Sequence, residues 1–345
     1  MMRELPVSFY LPGEDITSVA GLSPDRDWRD FGYGVRAWIL QTYLRMLAAG
    51  HPVTLTGRMP LRGVVVAHAD SAVYTNPPST EVVLVVVRAD KAAQTYADFE
   101  IVQNGPAADA ERVFHVHHWP QPGLVPRSST RGDHIRVVEF KGHVVSLNPA
   151  LRGRAFAEAL AQRGIEWRVD VVDYRGHVSA DYSECRWNDY SSTDLSVAVR
   201  HGWRRDHPSK PASKLINSWL AGSPAILGPE SAYRELRRSE LDYVEVTSLD
   251  EMIRAIDHLR GSPERYRAMI EGGFKRAQEF TTARLVDRWA RLLFEEVPQA
   301  AARRPASKVG LRRRSGMLAF ALRRAMRGSG YYVMAKRAAD ILRER

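Results

Sequence analysis

The sequence predicts two α/β units built on parallel sheets, facing each other across a cleft and followed by a basic helical tail. Three observations carry that expectation. Residues 81–90 (EVVLVVVRAD) form an apolar run dominated by β-branched valines, the mark of a strand covered on both faces of a parallel sheet. Such runs alternate with segments of helical periodicity. The alternation pauses at 120–133 (PQPGLVPRSSTRGD), which is rich in Pro, Gly and Ser, and then restarts. The expected units are 1–128, 129–300 and a tail over 301–345.

In chain order, PVSFYLP (6–12) reads as a first strand. Gly32 and Gly34 open a helix over 35–50, whose apolar residues recur at helical spacing and whose end is marked by Gly50. Strands follow at 53–57, 63–70, 81–90, 99–105 and 112–119. The second block runs strand (134–142), glycine-capped helix (149–164), strand (165–173) and strand (194–200). A helix opening at Pro211 and Ser213 is stopped by Gly222-Ser223-Pro224. Ala225-Ile226-Leu227 is a very short strand, and Glu230-Ser231-Ala232 starts another helix. After a strand at 243–248 come three helices, 249–261, 262–280 and 282–297, with Ser248 and Ser262 as N-caps and Pro263 at a first helical position. No 20–50-residue repeat, Walker A sequence or GxGxxG fingerprint is present.

Composition narrows the functional classes. Of 345 residues, 44% are hydrophobic and 26% charged, so a sizeable core is available. The single cysteine, Cys185, rules out an internal disulfide framework and points to the cytoplasm. Neither a signal peptide nor a membrane-spanning run of about 20 apolar residues is visible. The net charge of +10 is unevenly placed: residues 301–345 hold 13 of the 50 Lys and Arg and only 2 of the 40 Asp and Glu. The remainder is nearly neutral, so the high pI describes the tail alone.

The chemistry concentrates in 210–236 (KPASKLINSWLAGSPAILGPESAYREL). Helix starts present free N–H groups and positive dipole character, which suit a phosphate. Lys214 in the first helix, Lys210 and Ser213 at its entry, and Arg200 at the end of the preceding strand converge on such a point. The N–H groups at Ser231, Ala232 and Tyr233 would add fixed donors, and Glu230 or Glu235 could accept from ribose hydroxyls. A plain α/β crossover with solvated cations fits the same spacing.

Residues 210–297 resemble the C-terminal half of nucleotide-sugar-dependent glycosyltransferases of the GT-B fold (family 1/4-like). The likeness rests on the basic entry, KLINSWLAGSPAILGPESAYREL, VEVTSLDEMIRAIDHL, SPERYRAMIEGGFKRAQEFT and the closing Trp-containing helix. It implies a nucleoside-diphosphate sugar as donor bound by the second domain, an acceptor taken by the first, and no cofactor or metal. Many retaining members carry two glutamates eight positions apart; Ser209 and Asn217 stand there in this chain, while Glu235 falls where the family's later glutamate would lie. Retaining and inverting outcomes are both left open.

An inverting transfer needs a base. His68, Asp70 and Asp90 end two apolar strands of the first unit and are the candidates, each also readable as a cap or a salt-bridge partner. Arg88, His118 and the Gly32-Tyr33-Gly34 turn complete the acceptor side. HVHH (115–118) has spacing compatible with zinc but no further ligand nearby. In 311–345 basic clusters alternate with Met317, Leu318, Phe320, Leu322 and Met326, the pattern of an interfacial helix on an anionic membrane; a solvated disordered tail, a helix packed back across the first domain and a nucleic-acid-binding tail are the other readings. The expected function is sugar transfer to a glycan or lipid-linked acceptor in bacterial surface polysaccharide or glycolipid synthesis, in the cytoplasm or at the inner membrane face. The alternative is a catalytically degenerate relative that binds a glycan or partner.

Overall fold

The computed structural model describes residues 5–71, 78–109, 111–172, 184–303 and 313–320. Two sheets organise them. The first joins β1 (Val7–Tyr10), β2 (Val53–Thr56), β3 (Gly63–His68), β4 (Val82–Ala89), β5 (Phe99–Val102) and β6 (Val113–His115) in the order β2-β1-β3-β4-β5-β6. The second joins β7 (Val137–His143), β8 (Glu166–Val172), β9 (Leu195–Ala198), β10 (Ala225–Leu227) and β11 (Val244–Glu245) in the order β11-β10-β9-β7-β8. All pairings between these strands are parallel. Every residue of β3 is buried, and β4 is buried along nearly all its length. This is why both read as uninterrupted apolar runs rather than alternating ones.

Local signals explain most boundaries. Gly50 adopts φ +82° where the first long helix ends. That helix opens with a π-helical turn, Arg36–Leu40, before its regular part, Gln41–Ala48. Ser248 caps helix Leu249–Gly261, its side chain accepting from the Glu251 amide. Ser262 makes no such bond, and helix Pro263–Ala277 relies on proline at its first position. The strand expected at 112–119 stops at His115, where the chain leaves the sheet toward the second unit.

The largest departure from the expected units lies near the end. Helix Thr282–Arg291, a π-helical turn at Leu292–Glu296 and helix Val297–Ala302 place Leu285, Val286, Trp289, Leu292, Leu293 and Val297 in the core of the first sheet, beside Trp38 and Phe114. The chain therefore crosses back after Phe280, whose ring still packs in the second core against Trp219. The opposite face of the first sheet is covered by the tail. A helix over 313–320 lays Met317 and Phe320 on Val65, Ala67, Leu84, Val86 and Tyr96. Arg313 is buried there, pairing with Asp98 and donating to the carbonyls of Pro78, Ser79 and Val82. Gly316 packs so closely that an added Cβ would lie 2.3 Å from the Thr95 carbonyl. Of the expected lipid-facing stripe, Met317 and Phe320 thus pack back on the first unit; residues 311–312 and 321–345 lie outside the described residues.

Candidate active site

The carboxyl ends of the two sheets face each other, and a cavity of about 280 Å³ lies between them. Gly32, Tyr33, Gly34, Asp90 and His118 line it from the first unit; Arg200, Lys210, Ser213, Lys214 and Asn217 line it from the second. Segments distant in sequence therefore converge as strand-end loops of doubly wound sheets do.

Its cationic side is built on helix Ser213–Ala221. The helix has no side-chain cap, and the amides of Ser213, Lys214 and Leu215 make no hydrogen bond among the described residues; the first helical bond runs from the Ile216 amide to Ala212 O. The Lys214 ammonium is drawn beneath the cavity, donating to the Lys141 carbonyl and lying 5.8 and 5.9 Å from the Phe140 and Trp187 rings. Burial lowers its pKa to about 7, with Arg200 and Lys141 adding to the effect and Asp170 opposing it. No carboxylate among the described residues pairs with it. Arg200 contacts Glu230 through Nε at 3.1 Å, leaving both Nη atoms without a described partner. Its loop is held by Asn148, which donates to the Arg200 carbonyl at 2.9 Å.

On the first unit, Asp90 follows Ala89, which has φ +49° and is the only described non-glycine residue with positive φ. The β4–β5 register slips between Val87 and Ala89. Bulges and left-handed residues of this kind re-aim the side chain that follows. Here they carry Asp90 across to Lys210 of the second unit, with which it forms an ion pair. Burial pushes the Asp90 carboxyl up, but the Lys210 ammonium, together with Lys91, holds the pKa below the ordinary value. His118 packs edge-on against Trp38, and its Nδ1 lies 2.7 Å from the Trp119 carbonyl, so Nδ1–H donates and Nε2 is the acceptor nitrogen. Burial lowers its pKa and keeps the ring neutral.

No family model and no curated protein match the chain. Solved structures do. Anabaena Alr3699/HepE in complex with UDP matches with a TM-score of 0.51 at 12% identity, covering 84% of this chain and 99% of that one. The two-sheet architecture thus extends over essentially the whole of that protein. The chain has the GT-B fold. A GtfA/B complex (14% identity, TM-score 0.44) and TarM (9%, 0.46) are matched over 77% and 73% of this chain, which spans 61% and 58% of theirs, under two thirds of either.

Several expected site residues lie outside the GT-B cleft. His68 is buried behind the glycine turn: a Cβ on Gly34 would stand 3.2 Å from its Nε2. Its Nδ1 accepts from the Asp70 amide, so Nε2 carries the hydrogen, and burial lowers the pKa to about 4. Nε2 has no hydrogen-bond partner among the described residues, and the ring packs against the turn outside the cavity lining. Asp70 pairs with Lys91 at 3.0 Å, and Arg88 reaches Glu100 at 3.5 Å beneath the cleft.

The second helix start is covered. The Ser231 amide donates to the Asp206 carboxylate at 2.8 Å, and the Tyr233 amide returns to Glu230 O. Asn104 of the first unit donates to Ser231 Oγ at 3.1 Å, and Glu235 accepts from the Gly105 amide. Ala232 and Tyr233 are buried, and Glu230 is buried with its pKa pushed up by that burial against the opposing pull of Arg200. Ser231 and Glu235 thus join the two units, Glu230 braces Arg200, and Ala232 and Tyr233 pack in the second core; none of them lines the cavity. Asn217 also serves the junction, its Oδ1 accepting from the Gln121 amide at 3.0 Å.

Residues that sequence reasoning passed over include Trp28, Phe31, Trp38 and His143, all lining the cleft. Cys185 is buried between Trp28 and Trp187, one from each unit. His115 and His117 stack edge-on at 4.4 Å, and His117 continues onto Phe280; burial holds their pKa values near 4 and 3. Among the described residues they belong to packing at the junction.

Proposed function

We propose that the chain is a glycosyltransferase that moves a sugar from a nucleoside-diphosphate donor to an acceptor hydroxyl in this cleft. One observation carries the reading: a buried lysine with no carboxylate partner and an arginine with unpaired Nη atoms converge beside an uncapped helix start inside a GT-B cleft. Such an array is complementary to a leaving diphosphate, whose charge grows as the C1–oxygen bond breaks. In this reading Lys214, Arg200 and the amides at 213–215 offset that charge in place of a metal ion. The acceptor enters over the Gly32-Tyr33-Gly34 turn beside His118.

Asp90 is the base of an inverting reaction, because among the first-unit candidates it alone lines the cleft and its depressed pKa keeps it ionised at neutral pH. Its carboxylate takes the acceptor proton as the acceptor oxygen bonds to C1 and the diphosphate departs. Alr3699/HepE has been crystallised with UDP, which agrees with a nucleoside diphosphate as the ligand class. A lipid-linked or polysaccharide acceptor fits the basic tail. The test is calorimetry against UDP, GDP, dTDP, ADP and CMP, with Lys214→Ala and Arg200→Ala alongside. One nucleotide should bind saturably and be lost in both variants; absence of any binding by the folded protein rejects the reading.

A further inference from the structure

The segment between β2 and β3 and the helix over 313–320 both cover the same face of the first sheet. Met59 packs from the first and Met317 and Phe320 from the second, all onto the cluster of Val65, Ala67, Leu84 and Val86. The outward sides of these two elements share a composition that the fold does not use. Leu61 is 81% exposed and Leu318 63% exposed, the two most exposed leucines among the described residues. Arg58 and Arg62 flank the first, and Arg314 precedes the second by one helical turn; all three are exposed and make no ion pair with a described residue. Neither 57–63 (GRMPLRG) nor 313–320 (RRSGMLAF) contains an acidic residue. Glu81, whose carbonyl accepts from the Gly63 amide, is an exposed acid near this margin.

Protruding leucines ringed by arginines are poorly suited to water and well suited to an interface that is apolar within and negatively charged outside. In sequence, helix 313–320 is followed by residues 321–345, which carry seven Lys and Arg against two acids. No helix among the described residues is long and apolar enough to cross a membrane, so the contact would be peripheral. We propose that this face, formed by Arg58, Leu61, Arg62, Arg314 and Leu318, docks the protein on an anionic lipid bilayer. The footprint differs from a free amphipathic tail. Met317 and Phe320 are committed to the sheet, so the lipid-facing apolar contacts come from Leu318 and from a loop some 250 residues earlier in the chain. The inference does not depend on the chemistry of the cleft.

Co-flotation with phosphatidylcholine vesicles, with and without phosphatidylglycerol, tests it on the full chain. Wild type should float only with the anionic vesicles and be released by high salt. Arg58→Glu with Arg62→Glu should weaken partition at least about tenfold, since each basic residue near an anionic surface contributes severalfold. Leu61→Ser with Leu318→Ser should weaken it by a similar factor. Leu47→Ser, on the helix packed against the opposite face of the sheet, should change nothing, and melting temperatures should confirm that all variants are folded. No flotation of wild type overturns the proposal. So does flotation unaffected by either double variant, which would assign the contact to 321–345 alone. Binding of an RNA oligonucleotide with the same variant dependence, and no vesicle binding, would also overturn it.

Discussion

Replacing Lys214 with methionine should stabilise the protein while abolishing its ligand. The ammonium is held at a pKa of about 7 against an ordinary value of 10.5, chiefly by burial. The unfolded chain therefore keeps this proton up to about pH 10.5, whereas the folded chain releases it near pH 7. Stability must rise with pH across that window, and the full cost of the buried charge is present below pH 7. A drop from 10.5 to about 7 corresponds to ~5 kcal/mol at low pH, since each unit is worth about 1.4 kcal/mol. Part of the lysine stem remains exposed in the cleft, and methionine would strand the Lys141 carbonyl that the ammonium now satisfies, at about 1 kcal/mol. A net gain of ~2–3 kcal/mol at pH 6 is expected, shrinking toward zero or below by pH 10.5. Urea unfolding of both proteins at pH 6, 8 and 10 reads this directly. Parallel stability profiles for wild type and variant would show that Lys214 is not a buried charge held for an anion, and would refute the reasoning. In wild type, nucleotide affinity should fall as pH rises through 7, because the diphosphate binds the protonated form.

Asp90→Asn should leave nucleotide affinity intact or slightly improved and lower turnover by roughly 10²–10⁴-fold, read by calorimetry and product formation on the same sample. Transfer should persist in EDTA; loss of activity restored by a divalent cation would replace the cationic array with a metal. Arg313→Ala removes the ion-pair partner of the mostly buried Asp98 carboxylate, which keeps the Leu84 amide, and loosens the cover of the β3–β4 face, so the first unit should lose ~3 kcal/mol in denaturant unfolding. Gly222→Ala places a side chain at φ +67° with its Cβ 2.5 Å from the Phe274 ring, and should lower the melting temperature by several degrees.

Much of the fold was legible because its signals are local. The valine runs of β3 and β4, the stop at Gly222 and the Ser248 cap each follow from a few neighbouring residues. The placement of Arg200 and Lys214 on one cavity was legible because strand ends and helix starts on one sheet edge converge. The covered helix start at Ser231 was not. Its amides look the same in sequence whether they await a phosphate or meet Asp206, and the loop carrying Asn104 and Gly105 comes from 130 residues away. Amphipathic periodicity raises the same difficulty for helix 282–297 and for Met317 and Phe320. It reports that one side is buried but not which sheet, or which solvent, receives it. Trp28 and Trp187 meet only because the two units face each other.

The core of the first sheet draws on residues 7–119, 282–302 and 313–320, while 135–280 form a core of their own between them. During synthesis the usual order of domain maturation is therefore reversed. The first unit emerges first but must wait, with both faces of its sheet incompletely covered, until residues 282–320 have left the ribosome. The inserted unit, complete at Phe280, can close on itself some 40 residues earlier. Truncated chains that stop shortly after residue 280 should consequently hold one finished domain and one sticky, aggregation-prone sheet, and a chaperone would be expected to engage the N-terminal half.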